Sequence, residues 1–314
     1  MQPSTSLVVD YVTSARSPAQ VPGWSCPGDR LEEEHGMDRH SSLARTFELR
    51  LEPWFFYLYE MYLHWLRQLV ERLGRENTLR AWRGALENFD GSEQGMVLAN
   101  NWRRLPEGSV IDIEGRLNEL VAKYFAGTIN HLTTREAQQL VEQTPPITAI
   151  RNRFSSLDYS CQLTAYDALL LFDDWLALLA ESLIEQFGKK GEFMVYSIRL
   201  TEPRLCRERQ ISVQEFLNRR AAEFRSDPAV PTILSAGLEV QQTKITDSEI
   251  VQLVTHCEWA RFYRSRHPRV GYLLSCATDH ATYRQANDRL RLQRTATLME
   301  GGEVCDFRIY VIDG

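Results

Sequence analysis

The chain has 314 residues, 43% of them hydrophobic, enough to bury a sizeable core and to exclude disorder over most of its length. Its formal net charge is -6 at pH 7, and its 36 basic residues are dispersed among 42 acids with no dense basic block, so nucleic acid is not an expected partner. Four of the basic residues are Lys (Lys123, Lys189, Lys190, Lys244); the Arg excess reads as the codon usage of a GC-rich bacterial genome and suits bidentate binding of carboxylates.

Residues 1–45 hold Pro3, Pro18, Pro22, Pro27 and the acid run Glu32 to Glu34 without a sustained apolar period, which reads as a mobile tail. No secretion leader is visible there. The most lipid-like stretch, Trp54 to Leu66, is shorter than the ~20 residues that span a bilayer and contains Glu60 and His64, so no membrane partner is expected. Cys26, Cys161, Cys206, Cys257, Cys276 and Cys305 are widely spaced, as free thiols of a cytoplasmic protein would be.

Over 46–160 the periodicity predicts a helical domain. Its first helix begins at Pro53 and stops at Gly74, with Glu60, His64, Arg67 and Glu71 forming one polar stripe among aromatics and Leu. Further helices are expected over Arg75–Phe89, Ile113–Ala126 and Thr134–Gln143. The segment 161–314 reads as an α+β domain, opening with one long helix from Thr164 to Phe187. Within it Asp173 projects onto an apolar stripe with Leu169, Leu170 and Leu176, where a carboxylate needs a partner or a raised pKa.

Past Gly188, Glu192–Leu200 alternates as a strand, and Ser212 with Glu215 forms a capping box opening a helix to about Phe224. Strands are expected over Gly237–Ile245 and Ile250–Cys257, then helical EWARFYRS, then a helix from past Pro268 to Ala286. A hairpin of Leu290–Met299 and Val304–Ile312 closes the chain. The fold class is therefore α+β: an N-terminal helical region followed by a mostly antiparallel sheet flanked by helices.

Centred on Gly301 and Gly302, that hairpin sets Thr297 opposite Asp306 and Thr295 opposite Arg308. Thr295, Thr297, Asp306, Arg308 and Tyr310 then share one face, while Cys305 points to the other as a small core residue would. On the preceding helix, Cys276, Asp279, His280 and Tyr283 gather at i, i+3, i+4 and i+7. Asp279 or His280 could act as general base there and Cys276 as nucleophile; a half-buried Cys on a surface helix gives the same spacing. The cysteines lack the close ligand pairs of a zinc site, and no glycine-rich phosphate loop, Walker pattern or GxSxG elbow is present, so neither metal nor cofactor is expected.

The run from Val254 to Ile309, VTHCEWARFYRSRHPRVGYLLSCATDHATYRQANDRLRLQRTATLMEGGEVCDFRI, resembles the L-2-amino-thiazoline-4-carboxylic acid hydrolase family. The matching positions are Cys257, Cys276, Asp279, Arg294, Thr295, Thr297, Leu298, Gly301, Gly302, Cys305, Asp306, Phe307 and Arg308. The resemblance implies a bacterial α+β enzyme that adds water to a cyclic C=N bond of a small carboxylate-bearing substrate, as the family's named member does in opening a thiazoline ring on the way to cysteine. Implied with it are Asp279 or Asp306 as base, Arg308 with Arg294 second as carboxylate clamp, Thr295 and Thr297 beside them, and Cys276 as a covalent nucleophile. Cys257, Cys305, Gly301 and Gly302 are structural parts of the motif. His280 or Tyr283 is the proton donor, His280 on helix spacing alone. A fainter similarity, to vinyl-reductase and vesicle-tethering domains, implies the alternative of a non-catalytic binding or sensor module. The aromatic surplus of the first helix leaves a homodimer open.

Overall fold

The computed structural model describes residues 46–312 apart from 90, 92, 95–96, 98–101, 105–112, 126–131, 149–158, 203–210 and 224–232, so the expected tail over 1–45 lies outside the described residues. Strand β1 (Thr46–Arg50) runs into helix α1 (Leu51–Leu73), and α2 (Arg75–Glu87) follows. Alternation in β1 buries Phe47 and Leu49 while their neighbours stay exposed, a short strand that the helical expectation for this half passes over. It pairs antiparallel with β3 (Tyr159–Thr164), whose other edge takes β2 (Trp102–Arg104), giving the order β1-β3-β2.

Helices α3 (Ile113–Phe125) and α4 (Thr134–Gln143) complete the first half at the expected places, α4 opened by a Thr133–Glu136 capping box. Upstream on the α1 stripe, Glu60 accepts from Tyr124 at 3.0 Å and His64 sits 3.2 Å from the Thr201 hydroxyl, so neighbours cover it there; Arg67 and Glu71 pair in the open.

The long helix expected from Thr164 to Phe187 is broken. Helix α5 (Ala165–Phe172) ends at Asp173 and α6 (Asp174–Phe187) starts anew, which changes the phase of everything downstream. Asp174 is 2% exposed, while Asp173 sits at the break and accepts from the Tyr263 hydroxyl at 3.3 Å. Gly188, at φ +56°, then turns the chain into α7 (Lys189–Arg199) where a strand was expected. The buried set Met194, Val195 and Ile198 fits one helical face, and strand alternation would have buried Tyr196 in place of Val195. A side chain at Gly191 would collide with the Leu183 carbonyl, so the glycine permits the close approach of α6 and α7.

Helix α8 (Val213–Glu223) has the Ser212 hydroxyl accepting from the Glu215 amide at 3.1 Å, and a short α9 (Ile233–Gly237) leads into the second sheet. Its strands β4 (Leu238–Ile245), β5 (Glu249–Cys257), β6 (Leu290–Gln293) and β7 (Cys305–Val311) are ordered β4-β5-β7-β6, and every neighbouring pair is antiparallel. Between β5 and β6 come α10 (Glu258–Arg266), a π-helical turn (Tyr272–Cys276) and α11 (Asp279–Ala286). One face of the sheet packs Ile250, Leu290, Leu292 and Ile309 against Phe216 and Leu217 of α8 and Tyr283 and Ala286 of α11. The architecture is α+β, and residues 41–314 form one unit. Among the described residues no helix is long and apolar enough to cross a membrane.

Charged groups pin α6 to the end of α10. His267, just after α10, lies 2.8 Å from the Asp174 carboxylate through Nε2 and 3.3 Å from Glu181 through Nδ1, and Arg266 reaches Asp174 at 3.0 Å. Burial opposes the His267 charge, but Asp174 and Glu181 outweigh it and raise its pKa to about 9. A histidine raised above its unfolded value of about 6.5 contributes stability that is complete below that pH and is lost as pH rises through about 9. Thermal midpoints should therefore fall between pH 6.5 and 9 in the native protein, and His267→Gln should flatten that fall; equal slopes in both would exclude the ion pair as its source.

Candidate functional site

Three segments meet where the chain leaves β5 and β6. The first is the β5–α10 junction, where the Cys257 sulfur caps α10 by accepting from the Ala260 amide at 3.4 Å. The second is the π-helical turn. An extra residue there carries the Ala277 amide to the Tyr272 carbonyl at 2.8 Å and ends the turn at Cys276. The third is the connection 294–304 between β6 and β7.

That connection replaces the expected hairpin. Strand β6 stops at Gln293, opposite Arg308, two residues earlier than the position expected for Arg308's partner. A slip of two keeps each side chain on its face, so Cys305 and Asp306 do point to opposite sides. The chain then leaves the ladder and closes a 3₁₀ turn, Leu298–Glu300. Thr297 is not on an open polar face: it is 2% exposed, and its hydroxyl accepts from the Glu300 amide at 3.0 Å while donating to the Glu300 carboxylate at 2.8 Å. Gly301 ends the turn at φ +93°, left-handed backbone that suits glycine, and the Gly302 amide returns to the Thr297 carbonyl. The Cys305 sulfur accepts from the Leu298 amide at 3.2 Å, and Asp306 accepts from Thr295 and Ala296.

At the centre is Arg294, whose side chain is 3% exposed. Its guanidinium donates to Asp279 at 2.5 Å and to the Cys276 carbonyl at 3.2 Å, stands 3.5 Å from the Tyr272 hydroxyl, and lies over the Phe307 ring at 5.3 Å. Burial disfavours the charge, yet Asp279 overcomes this and holds the Arg294 pKa above its ordinary value. Asp279 keeps 29% of its side chain exposed, so the pair is open from the carboxylate side. Burial, reinforced by Asp279, pushes the Cys276 thiol far up; burial likewise raises Cys257 to about 12 and raises Cys305. These three thiols lie close enough for the charge state of each to affect another.

The structure thus brings together Cys257, Cys276, Asp279, Arg294 and Cys305. His280 stands beside them with much of its side chain open to solvent, its pKa lowered by partial desolvation of the ring and by Arg294. Tyr283 departs from the expected helix face: the π-helical turn breaks the phase between Cys276 and α11, and Tyr283 is 2% exposed in the core against Phe216. Arg308 lies on the opposite face of the sheet, half exposed, bonded to Glu249 and to Gln293 at 3.1 Å and stacked near Tyr310. Sequence reasoning missed Tyr272, although it stands four residues before Cys276. Among the described residues no group of three or more His, Cys, Asp or Glu is placed to hold a metal ion.

A buried arginine paired with a partly exposed carboxylate, with three thiols beside it, lies between an antiparallel sheet and the helices that follow β5 and gives this α+β protein a polar centre. Residues 173–309, which contain that whole centre, match the family model of L-2-amino-thiazoline-4-carboxylic acid hydrolase. No curated protein and no solved structure matched the chain.

Thiols raised this far carry almost no thiolate near neutrality. At pH 7, iodoacetamide should therefore leave Cys257, Cys276 and Cys305 unmodified in the native protein and tag all three in denaturant. Rapid native tagging of Cys276, read by peptide mass mapping, would contradict its protonated state.

Proposed function

We propose that the chain is a hydrolase that adds water to a cyclic C=N bond, of the amidine or thiazoline type, in a small molecule bearing a carboxylate. The observation that carries this reading is the Asp279–Arg294 pair, with 29% of the Asp279 side chain exposed, lying within the segment that matches the L-2-amino-thiazoline-4-carboxylic acid hydrolase family model. The match favours this reading over that of a non-catalytic binding module.

In this reading Asp279 takes a proton from water as the oxygen attacks the C=N carbon, then returns that proton to the ring heteroatom that leaves. Arg294, charged and desolvated, holds Asp279 in place and stabilises negative charge that develops near the reacting carbon. The neutral thiols stand beside the pair, and Cys276 serves in its protonated form. Activated water is accordingly assigned the attack, in place of a covalent thiolate. Arg308 has no role at this centre, since its guanidinium is engaged by Glu249 on the other side of the sheet.

Incubating the protein with cyclic amidines, imines and thiazolines in ¹⁸O-water should give ring-opened products that carry the label, read by mass spectrometry. Asp279→Asn should lower turnover by roughly 10²–10⁴-fold, the range of a lost general base. It should also destabilise the fold by about 1–3 kcal/mol, because Arg294 then faces a neutral partner. Rates are therefore compared well below both melting temperatures. Cys276→Ala should retain most of the activity, and no substrate adduct should form on Cys276 in the native protein. Near-normal turnover in Asp279→Asn, or a trapped adduct on Cys276, would overturn the assignment.

A further inference from the structure

The β6–β7 ladder pairs Leu290 with Val311, Arg291 with Tyr310, Leu292 with Ile309 and Gln293 with Arg308. Continued by two residues it would set Thr295 against Asp306. The backbone leaves the ladder at that point, and the Asp306 side chain takes over the work of the missing strand. One carboxylate oxygen accepts from the Thr295 amide at 2.9 Å and from the Ala296 amide at 2.7 Å; the other accepts from the Thr295 hydroxyl at 2.6 Å.

The Thr295 amide and the Arg294 carbonyl belong to one planar peptide unit, so a bond to that amide fixes the direction in which Arg294 leaves its strand. Arg294 has little room for error. Its guanidinium is enclosed by Asp279, the Cys276 carbonyl and the Phe307 ring, each on a different segment. The rest of the connection is secured separately, by Thr297 on Glu300 and by Cys305 on the Leu298 amide.

We propose that Asp306 is a positioning residue: it stands in for the broken ladder at residues 295–296 and so sets where Arg294 meets Asp279. A carboxylate offers about four lone-pair sites, and three are already engaged, which leaves Asp306 poorly placed to take a proton from water. Although burial favours its neutral form, the bonds from Thr295 and Ala296 hold its pKa below the ordinary value, again unlike a base poised near neutrality. The positioning role stands on this geometry alone; only its kinetic reading depends on the proposed hydrolysis.

Two substitutions separate positioning from proton transfer. In Asp306→Asn the amide oxygen can still accept from both backbone N–H groups, and the amide nitrogen can donate to the Thr295 hydroxyl once that hydroxyl turns round. Asp306→Ala removes all three bonds. Both abolish a carboxylate base.

The first measurement is the Arg294 Nε–Hε resonance in a ¹⁵N spectrum, assigned by its loss in Arg294→Lys. It should stay in place in Asp306→Asn and shift or broaden in Asp306→Ala, while amide exchange at Thr295 and Ala296 accelerates by about tenfold or more in the alanine variant alone. This measurement needs no substrate, so it decides the positioning role even if ring opening is never found. The second is turnover on any cyclic C=N substrate that the native protein opens. Asp306→Asn should stay within about threefold of native kcat/KM, whereas Asp306→Ala should fall by about tenfold or more, chiefly in kcat. An unmoved Arg294 resonance in Asp306→Ala would sink the proposal, as would an Asp306→Asn variant as slow as Asp306→Ala with its amides still protected.

Discussion

Burying a guanidinium is the constraint around which the C-terminal half is arranged. Arg294 has almost no contact with solvent, and an ion of that kind costs several kcal/mol to desolvate unless partners surround it. Here the partners come from separate segments: a carboxylate from the start of α11, a carbonyl from the π-helical turn and an aromatic face from β7. The centre therefore exists only when sheet, turn and helix are all in register. That makes the polar site a cross-check on the fold as well as a place for chemistry.

The platform beneath it is held by charge as well as by apolar packing. Asp174, the first residue of α6 after the break at Asp173, gathers His267 and Arg266 and so joins α6 to the end of α10. A second interior pair, Arg199 with Glu202 at 2.5 Å, sits at the end of α7, where Glu202 also accepts from the Trp65 indole at 2.9 Å. Both are interior ion pairs with hydrogen-bonded carboxylates. Such pairs add less to net stability than to specificity, because removing either partner leaves an uncompensated charge. They fix how α1 meets the end of α7 and how α6 meets the end of α10.

Elements whose signals are local could be read directly from the sequence. The glycine after Leu73 and the Ser212 cap each state their structure within a few residues, and the helix over Thr134–Gln143 lies where its periodicity sets it. The alternation of Glu192–Leu200 misled because Met194, Val195 and Ile198 satisfy a helical face equally well, and the close α6–α7 contact that decides between them is tertiary. The polar centre was legible in its membership but not in its wiring. Cys276, Asp279, Arg294 and Cys305 stand in the motif, yet the bond that joins Arg294 to Asp279 spans 15 residues and an irregular turn. Strand parity correctly separated Cys305 from Asp306, but it could not reveal that β6 ends early and that Asp306 bonds the backbone across the gap. Arg308, which the resemblance implies as the carboxylate clamp, is bonded to Glu249 on the adjoining strand, a pairing that no local pattern announces.

The π-helical turn has a consequence for how such chains compare with one another. It holds one residue more than an α-helical turn, inserted between Gly271 and Ala277, and that residue changes the angle at which Cys276 leaves the helix relative to Asp279. Deleting a single residue there would restore an unbroken helix and leave its apolar packing largely recoverable, yet it would rotate Tyr272 by about 100° away from the arginine. Chain length at this one turn is thus itself a mark of the centre, and two sequences that agree at every charged position but differ by one residue here would not carry the same site.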